Sequence, residues 1–456
     1  MVVLGAGPTG EKAAAQAAYW GKRVAVVERA PDPGGAMVAS AVSTKTIREA
    51  ALYLTGFRRR EVYGVGMNLA PELALDRLHD RTRHVVRTMR EAAEQNLHRH
   101  NIDVVQGAAS LAPGRVVEVR GPDSELRRLS ADVVLIATGS RPLHPPGIPF
   151  DDPDVLDSEA ARELDRPLRS LVVVGGGAVG CECASVFTAL GADVTLVDSE
   201  PRLLSFMDGE VADLLADTFR SLGMSVRLGA GRAQVSRDDG GIRVELADGD
   251  VLRPEKIVFA AGRVGNTDGL GLAEAGVATD ERGRIVVDDH YRTTADGIYA
   301  AGDVIGPPAL ASVSMEQGRV AACHAFDIPL KQTVDKLAPF GVYSIPEVAM
   351  AGLTEEAAAA DGVAYAVGRA WFEANTRAAI SGSTDGLVKL VFAREDRRLL
   401  GVHVLGEAAT ELVHLGQAVI NFKGPIDYFI HATFNVPTAT EAYKYAAYDG
   451  LRAVGR

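Results

Sequence analysis

The chain has 456 residues, 47% of them apolar, and a formal charge of −12. That length gives about three domains at the usual domain size. The acidic balance makes nucleic acid and anionic membranes poor partners. No apolar run reaches the roughly 18 residues a spanning helix needs, so no membrane span is expected. Met1 stands directly before an apolar strand, which predicts no signal peptide. The three cysteines, Cys181, Cys183 and Cys323, argue against a secreted disulfide scaffold and for a reducing cytoplasm.

The chain opens on an apolar strand that runs into Gly5-x-Gly7-x-x-Gly10, and a helical pattern follows from Glu11. Gly5 permits the tight turn, Gly7 lets a pyrophosphate approach the backbone, and Gly10 lets helix and strand pack closely. The open amides and dipole of the helix start then favour phosphate. A second strand, Arg23 to Val27, ends in Glu28, where an acid meets a ribose hydroxyl. Strand, glycine turn, helix and acid together predict a dinucleotide cradle.

After a turn-rich stretch at Ala30 to Gly35, the residues from Ala36 through Lys45 and on to Phe57 read as a buried helix. Arg58-Arg59-Arg60 reads as a solvated turn. Leu73 to His100 reads as a long solvated helix with one apolar stripe, Leu78, Val85, Met89 and Leu97. Its histidines (His79, His84, His98, His100) are irregularly spaced, which favours surface positions over a metal site. Val133 to Ile136 is a buried strand closing on Ala137-Thr138-Gly139-Ser140, and the Pro-rich run Arg141 to Pro149 marks a domain boundary.

Then the opening pattern recurs. Leu171 to Val174 is a strand, Gly175-x-Gly177-x-x-Gly180 a glycine turn, Cys181 to Leu190 a helix, and Val194 to Val197 a strand ending in Asp198. Two complete fingerprints imply two dinucleotides, or one duplicated scaffold in which both repeats work. Asp198 favours a free 2′-hydroxyl and repels a 2′-phosphate, a lean toward NAD(H); Arg202 reads as a solvated loop arginine. Lys256 to Ala260 is a further strand leading to Gly262, and Ile298 to Ala301 leads into Gly302-Asp303, a carboxylate at a strand end suited to a ligand hydroxyl. From about Lys331 strand-like runs (Leu387 to Phe392, Leu400 to Leu405) alternate with a helix-like one (Ala408 to Phe422), an α+β texture without a glycine fingerprint.

The motif set VVLGAGPTG, Lys45 followed by TIREAALYLTG, IATGSRP, VVVGGGAVGCECAS, AGRVGNTD, YAAGDVIGPPALASVSMEQGR, GVYSIPEVA, LLGVHVLGEAATELVHLGQA and FNVPTATEAYK resembles the flavin-dependent pyridine nucleotide–disulfide oxidoreductases along nearly the whole chain. Within them it is most similar to the soluble pyridine nucleotide transhydrogenases. The resemblance implies an α/β fold with two Rossmann-like dinucleotide-binding domains, for FAD and NAD(P), and a C-terminal α+β dimerisation domain. It divides the chain into an FAD-binding part (1–150), an NAD(P)-binding domain (151–261), a second FAD-binding part (262–333) and an interface domain (334–456) of a homodimer. Gly5, Gly7, Gly10, Glu28 and Asp303 would then hold FAD, and Gly175, Gly177 and Gly180 the nicotinamide dinucleotide. Asp198 is its ribose acid, and Thr138, Gly139 and Gly262 at the strand ends are further cofactor-binding positions. Lys45 and Glu182 match a lysine–glutamate pair lying beside flavin and nicotinamide in this family. There a lysine stabilises negative charge on a reduced ring and a glutamate keeps it charged and placed.

The sequence departs from the family pattern in two linked places. Disulfide-using members carry two cysteines in the segment that here runs from Gly34 to Lys45; this one has none, Met37 and Val42 stand in the matching slots, and the segment is one residue shorter. The C-terminal histidine before Pro-Thr is Val436, ahead of Pro437, Thr438 and Glu441. Without thiols and imidazole a thiol relay is excluded. Cys181 and Cys183 flank Glu182 two apart on one helix and face different ways, so they read as packing residues, as does Cys323. The expectation is a flavoenzyme passing hydride from NAD(P)H to a second nicotinamide. The alternatives are a small organic acceptor or quinone reached over the apolar Met37/Val42/Val436 surface, and a non-redox binding module.

Overall fold

The computed structural model describes residues 1–57, 62, 64, 71–164 and 166–455, with the backbone alone for 71–74. The Arg58-Arg59-Arg60 turn and the side chain of Leu73 lie outside the described residues. The chain divides into two compact units, one formed by Met1–Thr46, His79–Leu143 and Arg263–Lys336, the other by Ile47–Leu78, His144–Gly262 and Leu337–Arg456.

In the first unit β1 (Val2–Leu4) is the middle strand of a parallel five-stranded sheet. Its order is β18 (Ile298–Ala300), β7 (Val134–Ile136), β1, β2 (Ala25–Glu28), β3 (Asp103–Gln106). All three residues of β1 and of β7 are buried, because both sheet faces are covered, as parallel sheets require. On one face Val3, Val26 and Leu135 pack with Ala13, Ala14 and Ala17 of α1 (Pro8–Tyr19) and with Ala321 and Ala322 of α6 (Ala311–Ala325). On the other, Leu4, Val27 and Ile136 meet Leu111, Val117 and Val119. Those three belong to the antiparallel meander β4 (Ala108–Ala112), β5 (Val116–Arg120), β6 (Leu126–Ser130). β8 (Ser140–Pro142) and β17 (Arg263–Gly265) pair antiparallel as a separate ribbon of the same unit.

The second unit repeats the parallel sheet in the order β12 (Ser225–Arg227), β11 (Asp193–Val197), β10 (Ser170–Val174), β16 (Lys256–Phe259), β9 (Val155–Asp157). It carries α4 (Ala178–Ala189), α5 (Gly209–Ser221) and the meander β13 (Gln234–Asp238), β14 (Gly241–Glu245), β15 (Val251–Leu252). An antiparallel sheet follows, in the order β19 (Phe340–Val342), β20 (Glu347–Gly352), β23 (Leu399–Gly406), β22 (Leu387–Ala393), β21 (Tyr365–Trp371). Its residues alternate between two cores. Val348, Leu387 and Leu405 join the nucleotide-fold core, while Val388, Leu390, Val402 and Val404 join a core closed by α9 (Ala409–Asn421) and α11 (Ala442–Ala453). Burial of both faces explains why β22 reads as a nearly continuous apolar run. Short helices α7 (Glu355–Ala360), α8 (Thr376–Ser381) and α10 (Asp427–His431) complete the unit.

Two helical expectations change in detail. The segment after Gly35 is a π-helical turn, Met37–Val42, before α2 (Ser43–Thr55), and Met37 and Val42 are half-buried where a buried helix was expected. α3 (Pro71–Arg99) packs through its ends: Leu78 and Leu97 are buried, but Met89 is 37% exposed, so the stripe is broken in the middle. Among the described residues no helix is long and apolar enough to cross a membrane.

Candidate functional site

Each parallel sheet presents a cradle at the carboxyl end of its middle strand, and the two are built alike. In the first, Gly5 takes φ 104° and a Cβ there would lie 2.4 Å from the Ala137 carbonyl oxygen; in the second, Gly175 takes φ 113° and its Cβ would lie 2.5 Å from Ala260 O. Gly7 and Gly177 are the extended N-caps of α1 and α4. A Cβ on Gly10 would fall 1.9 Å from Gly5 O, and one on Gly180 1.7 Å from Gly175 O. No side chain fits those places, so helix and strand approach as a dinucleotide turn needs. By contrast a Cβ on Gly177 would meet nothing within 4 Å, nor would one on Gly139 or Gly262, which close the flanking strands at φ 70° and 114°. The donor set facing this space is backbone amide at a helix start, which suits a pyrophosphate.

The acids at the ends of β2 and β11 act first on the protein itself. Glu28 accepts the Ala6 amide at 2.7 Å and the Ala30 amide at 2.8 Å. Asp198 accepts the Gly176 amide at 2.5 Å and the Glu200 amide at 3.0 Å. In each repeat the carboxylate thus clasps the glycine turn to the loop that follows it, with lone pairs left for ribose hydroxyls. That loop returns in the same register both times. Gly34, six residues past Glu28, donates to Ala6 O at 2.9 Å, and Leu204, six past Asp198, donates to Gly176 O at 2.9 Å. The sequence gives the acid but not the clasp, whose partners are backbone amides without a residue signature.

Asp303 opens a 3-10 turn after β18, next to the first cradle: a Cβ on Gly302 would lie 2.3 Å from Thr9 Oγ1 of α1. Its carboxylate accepts from Ser140 Oγ at 2.8 Å and Ser314 Oγ at 3.2 Å, and Arg263 Nε donates to Ser140 Oγ at 2.8 Å. Ser140, Ser314 and Arg263 escaped the sequence reading because they stand on three separate segments. Thr138 is tied in as well, its Oγ1 donating to Asn266 O at 2.8 Å while Asn266 Nδ2 donates to Thr138 O at 2.9 Å. Glu11, buried in the first turn of α1, accepts from Asn96 Nδ2 at 2.6 Å and Lys12 Nζ at 2.7 Å.

Lys45 is the third residue of α2 in the first unit. In the second unit Glu182 on α4 accepts the Tyr343 amide at 2.9 Å. Cys181 and Cys183 flank it, and both thiols are free. Burial, aided by the Glu182 charge, pushes the Cys181 thiol far up and the Cys183 thiol up to about 12, so neither yields a thiolate near neutrality. Cys323 is buried on α6 and free, and burial raises its thiol too. Arg202 turns onto α5, with Nε 2.9 Å from Asp213 Oδ1 and Nη1 3.9 Å from Glu356 Oε1. Val436 is 59% exposed, and Glu441 accepts from Tyr445 OH at 3.2 Å.

Residues 1–318 match the family described as pyridine nucleotide-disulphide oxidoreductase, and 338–447 match its dimerisation domain. The chain belongs to the pyridine nucleotide-disulphide oxidoreductase family. This family binds FAD and NAD(P), and the fold is its arrangement of two dinucleotide-binding folds with a C-terminal dimerisation domain. The chain is 42% identical to a soluble pyridine nucleotide transhydrogenase of Mycobacterium tuberculosis, over 98% of this chain and 96% of that protein. It is 37% identical to one of Marinomonas sp., over 100% and 98%. Among solved structures it is similar to the HOCl-induced flavoprotein disulfide reductase RclA from Escherichia coli, with TM-score 0.88, 27% identity and 98% and 99% of the two chains covered. LpdA from Mycobacterium tuberculosis gives TM-score 0.88 at 28% identity, with 98% of each chain covered.

Proposed function

We propose that this flavin-dependent oxidoreductase passes hydride from NAD(P)H to a second nicotinamide dinucleotide, as a transhydrogenase, without a disulfide relay. The observation that carries the reading is the distribution of sulfur. The segment Gly34–Lys45 holds no cysteine, and the chain's three thiols sit on α4 and α6, buried or half-buried, with burial pushing the pKa of each up. FAD, when bound, supplies a two-electron carrier that takes hydride from one dinucleotide and returns it to another. The residues supply placement and electrostatics. The amides at the start of α1 would hold the FAD pyrophosphate, Glu28 its adenosine ribose, and Asp303, oriented by Ser140 and Ser314, a hydroxyl of the same cofactor. The start of α4 and Asp198 would do likewise for the nicotinamide dinucleotide. Lys45 is assigned the positive charge that favours a reduced flavin, and Glu182 the carboxylate that keeps a lysine protonated. We read residues 1–150 and 262–333 as the flavin domain, 151–261 as the nicotinamide domain and 334–456 as the interface domain. The chain works in the cytoplasm in this reading.

An anaerobic titration tests this. The yellow protein is bleached by NADH or NADPH, its colour returns on adding an oxidised nicotinamide analogue, and glutathione disulfide or lipoamide leaves it bleached. Return of colour with a disulfide sinks the proposal. Return of colour with a quinone or small organic oxidant but with no dinucleotide moves the acceptor to the Met37 and Val42 side chains.

A further inference from the structure

In the second unit two cations, Arg369 and Lys389, and a histidine whose pKa burial pushes down, His403, stand side by side across the antiparallel sheet. Arg369 of β21 pairs in register with Lys389 of β22, and Lys389 with His403 of β23. Their neighbours along the strands on the same face, Leu387 and Leu405, belong to the nucleotide-fold core, and the Lys389 side chain is 2% exposed. Its Nζ lies 2.7 Å from Asp208 Oδ1, 2.8 Å from Glu210 Oε2 and 3.0 Å from Glu355 Oε1. Arg369 grips Glu210 with Nε and Nη2 at 2.7 and 2.8 Å. His403 Nε2 bonds to Leu353 O at 3.0 Å. Burial works to lower the pKa of Lys389, but its three carboxylate partners together raise it, so the ammonium stays charged.

A buried ion pair is a weak source of stability, since well-packed apolar residues of the same volume often do as well. What it fixes is position, and here the fixed point is informative. Asp208, fully buried, caps α5 by accepting the Val211 amide at 3.4 Å and takes the Glu355 amide at 3.3 Å. It ends the loop that begins at Asp198. Within that loop Met207 donates to Leu204 O at 2.7 Å and Leu204 to Gly176 O at 2.9 Å, while Asp198 holds the Gly176 amide. Leu203 closes over the same glycine, where a Cβ would lie 2.7 Å from its Cδ2. A continuous set of bonds therefore runs from Lys389 on the interface sheet through Asp208 to the ribose side of the second cradle.

We propose that Lys389 is a positioning residue for the nicotinamide cradle: through Asp208 the interface sheet sets the 198–208 loop in the place where it receives the adenosine ribose of the dinucleotide. This rests on the reading that the second cradle takes NAD(P). It assigns to the dimerisation sheet a share in coenzyme affinity as well as in assembly.

The test uses the FAD-loaded protein and ADP-ribose as a redox-inert probe, with calorimetric binding and thermal melting read side by side. Lys389→Met alone leaves buried acids uncompensated and is expected to melt well below the wild type. The pair Lys389→Met with Asp208→Asn removes one charge of each sign, and asparagine still caps the helix. We expect that double variant to recover most of the melting temperature and to keep its flavin, yet to bind ADP-ribose about 3- to 30-fold more weakly. A double variant that binds ADP-ribose within twofold of wild type overturns the proposal. Should the double variant not fold, Asp208→Asn alone decides it: a smaller loss of affinity in the same direction supports the role, and unaltered affinity overturns it. A wild-type protein that does not bind ADP-ribose removes the underlying reading along with the proposal.

Discussion

The two cradles share a plan down to the register of single hydrogen bonds, but they differ in what leans on the glycine turn. In the first, the returning loop brings a second glycine: Gly35 lies so close that a Cβ on it would be 2.9 Å from Gly7 Cα. In the second, the loop brings the buried side chains of Leu203 and Leu204, and Gly177 meets nothing. The first loop then continues into the π-helical turn at Met37–Val42, whereas the second ends in Asp208, anchored by Lys389. One turn is thus covered by backbone and the other held by an ion cluster on a separate sheet. Duplicate sequence motifs can be kept in shape by unrelated means.

The largest expected effects separate the cradles outright. Gly10→Ala places a methyl far inside van der Waals contact with Gly5 O, and Gly180→Ala does the same at Gly175 O. The first variant should purify without flavin absorbance. The second should stay yellow and lose nicotinamide affinity by about 3 kcal/mol, over a hundredfold by calorimetry. A flavin-free Gly180→Ala protein would break the assignment of cradles to coenzymes. Next come the acids, whose charge-assisted hydrogen bonds are the stronger kind. Asp198→Asn should cut the preference for NADH over NADPH about tenfold in direct binding, while Glu28→Gln should loosen FAD in a dialysis series and leave that preference alone. If Asp198→Asn leaves the preference unchanged, its clasp on Gly176 is its whole task.

A smaller effect sharpens the contrast at the turn. Gly177→Ala adds a methyl that touches no protein atom, so melting should stay put while NADH binding weakens about fivefold, ~1 kcal/mol. A drop in melting temperature without a change in binding would show the space is needed by the protein and not the ligand. The smallest effect is expected at sulfur. With the Cys183 thiol pushed up to about 12, roughly one molecule in ten thousand carries the thiolate at pH 8. Iodoacetamide should therefore leave the native protein unmodified by mass, react tenfold faster per pH unit of increase, and label all three cysteines once the chain is unfolded. Cys183→Ser should turn over as wild type. Rapid labelling of native Cys183 at pH 7 would reopen a thiol role.

Much of this molecule was legible in one dimension, because its signals are local. A glycine spacing, a strand that ends in an acid and a missing pair of cysteines each depend on a few adjacent residues. Even there the strand limits moved by a residue or two, as at β2, which starts at Ala25 and takes in Glu28. Where partners are far apart in sequence the reading stopped. Asp303 was found, but not Ser140 and Ser314, which lie 163 and 11 residues away. Met89 fits a helical stripe by period and is nevertheless exposed. Lys389, which the strand-like run Leu387 to Phe392 passes over without distinction, is the centre of a charge cluster drawn from the start of α5, α7 and β21.

The sequence by itself determined that two dinucleotide turns exist, that the family's thiols are gone, and that acids end both second strands, since each follows from residue identity at fixed short spacing. Tertiary structure decided what those acids hold on the protein, which serines bond to Asp303, and how Lys389 of the antiparallel sheet reaches the 198–208 loop. Those depend on which backbone amides and distant side chains fold into hydrogen-bond range, and desolvation makes such bonds count.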